Sequence, residues 1–175
     1  MAYYNIYRAS TLGPGNPELV TVKATRVIGA VDVVAYHNAQ HGSSITRAIA
    51  EPYLQPGHIE YHSMWPMTTE KLPTIPAALF GGLEDSAKDT TRRIAAYLET
   101  GRSVTLLTEG NPLFYSSYMH LHAQLTHRYD AVVVPELTSV SAGLAAIATP
   151  LVTGDEVLTV LPGTLPMTEL SHRLI

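Results

Sequence analysis

The chain has 175 residues, of which 46% are hydrophobic and 15% are charged, a balance typical of a globular protein rather than a disordered one. Its net charge of −4 gives no reason to expect binding to nucleic acid or to an acidic membrane. The sequence contains no cysteine, which excludes disulfide bonds and thiolate metal ligands within it and agrees with the cytoplasmic location that we expect. The first residues do not show the pattern of a secretory signal, and no apolar run approaches the ~18 residues of a membrane span.

Strands and helices are predicted to alternate along the chain, because short apolar or β-branched runs are followed by segments with helical spacing of apolar residues. The predicted strands are Tyr4–Ala9, Val31–Tyr36, Ile59–His62, Val104–Leu107 and Ala131–Val134. The predicted helices are Pro17–Ala30, Ser44–Leu54, Leu83–Thr100, Leu113–Leu125 and Val140–Ala148. We expect the first strand to lie near an edge of the sheet. Residues 63–82, which are rich in proline and glycine, are expected to form an irregular lid.

This alternation predicts an α/β fold with a mostly parallel five-stranded sheet flanked by crossover helices. We assign residues 1–153 to this N-terminal α/β domain. A further strand at Leu158–Leu161 and a helix beginning at Met167 are predicted beyond it. We therefore interpret residues 154–175 as the start of a second, incomplete α/β domain, and we expect the chain to be part of a longer protein.

Three turns that are rich in glycine, proline or small polar residues follow predicted strands, at residues 13–17, 109–112 and 135–139. If the strands are parallel, all three turns lie at the carboxyl edge of the sheet, where open α/β sheets bind their ligands. None of the three has the pattern of a P-loop or of a dinucleotide-binding loop. A single turn of this kind is usually only a turn, but three at one edge favour a flat, polar small ligand.

Histidines occur in pairs four residues apart, as in His37 with His41 and His58 with His62. No carboxylate accompanies them at ligand-like spacing, so we expect no metal site. His37 differs from the others because it directly follows the second predicted strand. It is a candidate general base with a pKa near neutrality, and the alternative that it is a loop histidine capping a helix stays open.

Taken in order, the three turns resemble motifs of the tetrapyrrole (corrin/porphyrin) methylases. GPGNPEL followed by TVKA resembles the family's opening Gly-Pro-Gly-Asp-Pro-Glu-Leu motif, EGNPLFY resembles its Gly-Asp-Pro turn, and VVPELTS resembles its Val-Pro-Gly-Ile-Thr-Ser segment. The resemblance covers essentially the whole chain. Asn16 and Asn111 stand where the family has Asp, Thr11 where a further Gly is usual, and Glu136 where the family has Gly. At Glu136 we expect a conflict, because glycine usually marks a need for backbone freedom.

The resemblance implies a fold of two α/β domains with S-adenosylmethionine bound between them and a tetrapyrrole substrate above it, in a homodimer. It implies that the methyl donor is contacted by Pro14, Glu109, Gly110, Asn111, Phe114, Thr138 and Ser139. His37 falls where some relatives place an acid/base aspartate. Because the second domain supplies the other wall of the donor site, this chain alone is expected to bind the donor weakly and to have little activity.

The stretches AYHNAQHG, EGNPLFYSSYMHLH and DEVLTVLPGTLP are most similar to those of family members that methylate precorrin-2 at carbon 20 in cobalamin biosynthesis. That reaction, with no metal required, is the function that the resemblance implies. Two alternatives stay open: another tetrapyrrole methylase, such as uroporphyrinogen-III methyltransferase, and a truncated, non-catalytic binding or dimerisation module.

Overall fold

Strands and helices alternate along the chain in the computed structural model, which describes residues 6–38, 44–64, 77–162 and 164–174, with the backbone alone for 77–83. The strands are β1 (Ile6–Thr11), β2 (Val33–Asn38), β3 (Ile59–Met64), β4 (Val104–Thr108) and β5 (Asp130–Val134). The helices are α1 (Val22–Gly29), α2 (Ile45–Ala50), α3 (Ala77–Glu99), α4 (Tyr118–Leu125), α5 (Ser139–Ala146) and α6 (Met167–Arg173). Single 3₁₀ turns lie at Pro17–Leu19 and Glu51–Tyr53.

The five strands form one sheet in the order β3-β2-β4-β1-β5, and every pair of neighbours is parallel. The predicted α/β fold with a five-stranded sheet is confirmed. The expectation that the first strand lies near an edge is wrong, because β1 lies between β4 and β5, where Tyr7 is opposite both Val104 and Ala131.

Strand β1 is buried although it carries polar residues, and hydrogen bonds explain how. Ser10 and Thr11 are fully buried. Thr105 Oγ1 donates to Ser10 Oγ at 2.9 Å, and Thr11 Oγ1 donates to the carbonyl of Val134 at 2.8 Å. Because each buried hydroxyl has a partner, the cost of removing it from water is largely offset.

Alternate side chains of each strand pack on opposite faces of the sheet, which gives two hydrophobic clusters. One face carries β-strand residues such as Ala35 and Leu106 and is covered by α3 and α4; its members include Tyr7, Ala9, Val33, Ile94, Leu98, Tyr118, Leu121 and Leu125. The other face is covered by α1 and α2; its members include Leu12, Ala24, Ile28, Val34, Tyr36, Ile49 and Leu107. Each fully buried large side chain contributes about 1.5–3 kcal/mol to folding, so the two clusters hold the sheet between helical layers.

Helix α1 begins later than predicted because Thr21 caps its first turn. The Thr21 hydroxyl accepts a hydrogen bond from the backbone N–H of Ala24 at 3.2 Å, as N-cap residues do. The residues from Pro17 to Leu19 form a separate 3₁₀ turn, which Asn16 caps by accepting from the N–H of Glu18 at 3.0 Å. The predicted single helix is therefore two elements.

Helix α4 also begins later than predicted, at Tyr118 rather than at Leu113. Tyr115 has a φ of 52°, in the left-handed region that interrupts a right-handed helix. The segment from residue 113 to residue 117 is therefore a turn, although its apolar residues have helical spacing.

The predicted lid at 63–82 is wrong at both of its ends. Ser63 and Met64 belong to β3, and α3 begins at Ala77 rather than at Leu83, so the Gly81-Gly82 pair lies within a helix. The part of the predicted lid from residue 65 to residue 76 lies outside the described residues. Within the described ranges, no helix is long and apolar enough to cross a membrane.

The chain divides into two units, Met1–Ser139 with the whole sheet and Val140–Ile175. In the second unit, residues 155–162 have no regular secondary structure, so the strand predicted at Leu158–Leu161 is not present. A parallel strand requires a neighbour for its hydrogen bonds, and none is provided there by the described residues. The helix predicted to begin at Met167 is present as α6. The domain boundary at residues 153 and 154 stays a prediction.

Candidate functional site

The turns that follow β1 and β4 are joined to each other at the carboxyl edge of the sheet. The N–H of Gly110 donates to the carbonyl of Gly13 at 2.9 Å, and just before it the N–H of Leu12 donates to the carbonyl of Thr108, also at 2.9 Å. Gly13 and Gly110 both have a φ of 63°, which glycine adopts without strain. Two of the three predicted turns therefore form one continuous backbone structure.

The turn after β4 is held by Asn111, which stands where the family motif has Asp. Its side-chain oxygen accepts from the N–H of Leu113 at 3.0 Å, and its carbonyl accepts from the N–H of Phe114 at 3.1 Å. An aspartate would accept the first of these bonds in the same way, so the amide preserves the shape of the turn and removes a charge.

An aromatic pair beyond Asn111 is open to solvent. The side chains of Phe114 and Tyr115 are 43% and 66% exposed, and their ring centroids are 4.9 Å apart in an edge-on arrangement. Glu109 lies at the start of the same turn, and partial removal of its carboxyl group from water raises its pKa above the usual range. An apolar surface beside a carboxylate is therefore available to a ligand at this turn.

The first turn is fixed at its C-terminal end by a hydrogen bond from Tyr53. The half-buried Pro14 follows Gly13, and the carbonyl of Pro17 accepts from the hydroxyl of Tyr53 at 2.7 Å. Gly15 has a φ of 116°, and a Cβ atom added there would meet nothing within 4 Å. The turn thus combines a fixed backbone with open space in front of it, which suits a close ligand.

The third turn, after β5, contains a buried carboxylate. Glu136 is 8% exposed, and its Oε1 accepts from both the N–H and the hydroxyl of Thr21, at 2.8 Å and 2.7 Å. Thr138 is half-buried and Ser139 is exposed. The expected conflict at Glu136 does not arise, because the non-glycine residues with positive φ among those described are Tyr115 and Ala148.

His37 lies within β2, not in the loop after it, and two strands away from β1. Its Nδ1 lies 3.3 Å from Ser63 Oγ of β3, and that oxygen accepts from the hydroxyl of Thr90 at 2.7 Å. Burial lowers the pKa of His37 from 6.5 to about 4. The expected pKa near neutrality is therefore wrong, and the ring is neutral at pH 7 with little affinity for a proton.

The structure thus brings the predicted donor-contacting residues to one edge of the sheet. His37 lies apart from them on β2, next to the edge strand β3. Pro14, Gly110 and Asn111 lie on the joined turns, and Thr138 and Ser139 follow the adjacent strand β5. Sequence analysis missed the pairing of Thr21 with Glu136. The sequence did contain a signal for the role of Thr21, since a threonine that precedes a helical run of apolar residues is a typical N-cap.

Two of the other histidines, His58 and His122, have hydrogen-bond partners within the fold. His58 Nδ1 accepts from the N–H of Gln55 at 3.1 Å, and His122 Nδ1 lies 2.8 Å from the hydroxyl of Tyr7 and 2.9 Å from that of Tyr118. Within the described part of the chain there is no group of three or more histidine or acidic residues that could hold a metal ion.

Comparisons with known proteins agree with this geometry. Residues 11–174 match the family described as Tetrapyrrole (Corrin/Porphyrin) Methylases. The chain belongs to the tetrapyrrole methylase family.

A solved member, the cobalt precorrin-4 methyltransferase CbiF, aligns with 99% of the chain and 67% of its own length, with a TM-score of 0.69 and 21% identity. Uroporphyrin III C-methyl transferase from Thermus thermophilus aligns with 86% of the chain and 55% of its own, with a TM-score of 0.57 and 22% identity. Both likenesses show the tetrapyrrole methylase fold.

Curated relatives are more similar in sequence than these solved structures. The cobalamin biosynthesis protein CobIJ of Mycobacterium tuberculosis is 64% identical over 163 residues, which are 93% of this chain and 32% of that protein. Precorrin-2 C(20)-methyltransferase from Sinorhizobium sp is 43% identical over 162 residues, 93% of this chain and 66% of that enzyme. The chain therefore spans about a third of CobIJ and about two thirds of the Sinorhizobium enzyme.

Proposed function

We propose that the chain provides the donor-binding part of an S-adenosylmethionine-dependent methyltransferase that methylates precorrin-2 at carbon 20 in cobalamin biosynthesis. Residues 1–153 form its N-terminal domain and residues 154–175 begin a second domain. The observation that carries the proposal is the Gly13–Gly110 bridge, which joins two family motifs at the carboxyl edge of the sheet. The 43% identity to a precorrin-2 C(20)-methyltransferase supports this substrate over other tetrapyrroles.

The residues at this edge fit a donor of this kind. S-adenosylmethionine supplies an electrophilic methyl group on a sulfonium, so the protein's main task is to align the reactants and exclude water. Gly110 leaves open space in front of the turn, and the exposed ring of Phe114 offers an apolar surface to a flat base. Pro14 and Asn111 fix the backbone on each side, while Thr138 and Ser139 offer hydroxyl groups from the turn after β5.

Loss of a proton from the methylated carbon requires an acceptor, and His37 is the residue that we propose for it. Its ring is neutral at pH 7, so it can accept a proton, but a pKa of about 4 makes it a weak base in this structure. Water or the substrate's own groups can take the proton in its place. We therefore expect replacement of His37 to lower the rate of transfer modestly, without abolishing it.

A second candidate is methylation of uroporphyrinogen III, which the fold shared with the Thermus thermophilus enzyme supports. The test is a hybrid in which the aligned residues of this chain replace their counterparts in the Sinorhizobium enzyme. The hybrid is supplied with methyl-labelled S-adenosylmethionine and either precorrin-2 or uroporphyrinogen III. We expect one methyl group on precorrin-2, at carbon 20 by NMR, and none on uroporphyrinogen III.

Methylation of uroporphyrinogen III, with none of precorrin-2, would make the second candidate correct. A folded hybrid that binds the donor but transfers no methyl group would favour a non-catalytic binding module. The unaltered Sinorhizobium enzyme is the positive control, and the hybrid with Gly110→Trp, which fills the donor turn, is the negative one. The family resemblance also supports a homodimer located in the cytoplasm, and sedimentation of the purified protein tests the dimer.

A further inference from the structure

Glu136 reaches from the turn after β5 to the start of helix α1. Its Oε1 accepts two hydrogen bonds from Thr21, one from the backbone at 2.8 Å and one from the hydroxyl at 2.7 Å. Thr21 in turn caps α1 by accepting from the N–H of Ala24. With 8% exposure the Glu136 side chain is shielded from water, so removing its hydrogen-bond partners or the carboxylate itself has a marked cost.

This contact links all three turns of the proposed donor site. Thr21 ends the segment that begins at Gly13, and the carbonyl of Gly13 accepts from the N–H of Gly110. Glu136 itself lies two residues before Thr138. The first and second turns are therefore joined through the backbone, and the Glu136 carboxylate adds a side-chain link from the third turn to Thr21, beyond the bond from Thr11 to Val134 at the ends of β1 and β5.

The family motif has glycine where this chain has Glu136, and a glycine has no side chain that could make this link. We propose that Glu136 is a positioning residue that fixes the spacing between the turn carrying Pro14 and the turn carrying Thr138. The inference rests on the proposed function, because these two residues are assigned to the same methyl donor. It assigns no contact between Glu136 and the donor: the carboxylate acts through Thr21.

The chain offers a matched control at the opposite edge of the sheet. Asp32 precedes β2 and Ser103 precedes β4, and Asp32 Oδ2 accepts from the N–H and the hydroxyl of Ser103, both at 2.7 Å. These bonds hold the pKa of Asp32 below its usual range. The control pair thus has the same hydrogen-bond pattern as Thr21 with Glu136, but its bonds are exposed and it lies at the amino edge, away from the proposed site.

The experiment is a titration of the 175-residue chain with S-adenosylmethionine, followed by NMR through the amide signals of Gly13 and Gly110. We expect Glu136→Ala to weaken donor binding about tenfold, because the two hydrogen bonds to Thr21 that hold the site are lost. Glu136→Gln keeps an acceptor for Thr21 and is expected to restore binding to within about twofold. Asp32→Ala is expected to leave donor binding unchanged, although it removes an equivalent pair of bonds.

Thermal unfolding of each variant separates positioning from general destabilisation. Equal donor affinity in Glu136→Ala and the unaltered chain would overturn the proposal, and so would an equal loss of affinity in Asp32→Ala. If Glu136→Ala fails to fold, Thr21→Val becomes the test, because it removes one of the two hydrogen bonds to the carboxylate. Unchanged affinity for S-adenosylmethionine in that variant would overturn the proposal. Absence of any shift at Gly13 and Gly110 in the unaltered chain would overturn the assignment of these turns to the methyl donor, and this inference with it, whereas the proposed methyl transfer is decided separately by the hybrid enzyme.

Discussion

Substitution of Gly110 and of Gly29 can separate the effect of backbone conformation on stability from the effect of packing, at the level of single residues. A Cβ atom added to either glycine would meet nothing within 4 Å, but only Gly110 has a positive φ, of 63°. We expect Gly110→Ala to lower the free energy of unfolding by about 1–2 kcal/mol, because alanine is strained in the left-handed region.

Gly29→Ala is the matched control for this change. It lies at the end of α1 and is expected to leave stability unchanged or to raise it by up to about 1 kcal/mol, since alanine favours a helix. Urea denaturation measures both variants. Equal effects of the two substitutions would show that φ at Gly110 is not what selects glycine there.

His37 makes stability depend on pH. Its pKa is 6.5 in an unfolded chain and about 4 in the folded one, because burial disfavours the charged ring. Between these values the unfolded state binds more protons, so the free energy of unfolding falls as the pH falls. The contribution is fully present above pH 6.5, and by about pH 4.5 roughly 2–3 kcal/mol of it is lost.

His37→Gln removes the buried titrating ring and is expected to flatten this decline. Urea denaturation at about pH 7 and about pH 4.5 measures the difference for each chain. A decline of the same size in His37→Gln and in the unaltered chain would assign the acid sensitivity to other groups.

At the scale of elements, the sequence predicts which segments are strands and helices better than where each lies. The apolar and β-branched run Val104–Leu107 becomes the buried strand β4, since a short run of this kind is typical of a strand covered on both faces. The position of β1 could not be predicted, because Ser10 and Thr11 are acceptable in the core only through partners on β4 and β5. Local pattern does not show partners that are about a hundred residues away in the chain.

Helix α4 is anchored to β1 by three polar aromatic residues. His122 Nδ1 lies within hydrogen-bonding distance of the hydroxyls of both Tyr7 and Tyr118. Burial raises the pKa of both tyrosines, so both hydroxyls keep their protons, and the Tyr118 hydroxyl also lies 3.3 Å from that of Tyr7, to which it donates. Because His122 Nδ1 keeps one hydroxyl partner when the other is removed, we expect Tyr7→Phe and Tyr118→Phe each to cost less than about 1 kcal/mol.

The double variant is expected to cost about 1 kcal/mol more than the sum of the two single ones, since Nδ1 then loses both hydroxyl partners. The control cycle combines Tyr7→Phe with Tyr53→Phe, whose hydroxyl donates to Pro17 on the other face of the sheet. That pair should be additive. Additive costs for Tyr7 and Tyr118 as well would show that the two hydroxyls do not share one acceptor.

For the whole molecule, parallel topology explains why the site could be predicted and its details could not. Once the strands alternate with helices, the turns after β1, β4 and β5 must lie at one edge, so their convergence follows from the pattern. The order β4-β1-β5, which makes them neighbours, follows from the three-dimensional packing. The link from Glu136 to Thr21 requires that order, and a motif comparison records Glu136 only as a departure from glycine.

The two units differ in how much they bury, and this predicts their relative stability. The buried hydrophobic residues of the described chain all lie at or before Val134, whereas Val157, Met167 and Leu174 in the second unit are 87%, 75% and 75% exposed. Helices α5 and α6 have eight and seven residues, and isolated helices shorter than about 12–15 residues are marginal in water. We therefore expect amides of α5 and α6 to exchange with solvent by local opening, and those of β1 and β4 only on global unfolding.

Amide hydrogen exchange across a series of low urea concentrations measures this difference. Exchange in β1 and β4 should accelerate with urea as steeply as global unfolding, because unfolding exposes both hydrophobic clusters. Exchange in α5 and α6 should be fast and nearly independent of urea, because little surface is exposed when they open. Leu98→Ala serves as the control: it should accelerate exchange in β1 and β4 through the loss of a buried side chain, while α5 and α6 stay unchanged. Slow exchange in α5 that depends on urea in the same way as β1 would show that the second unit folds cooperatively with the sheet.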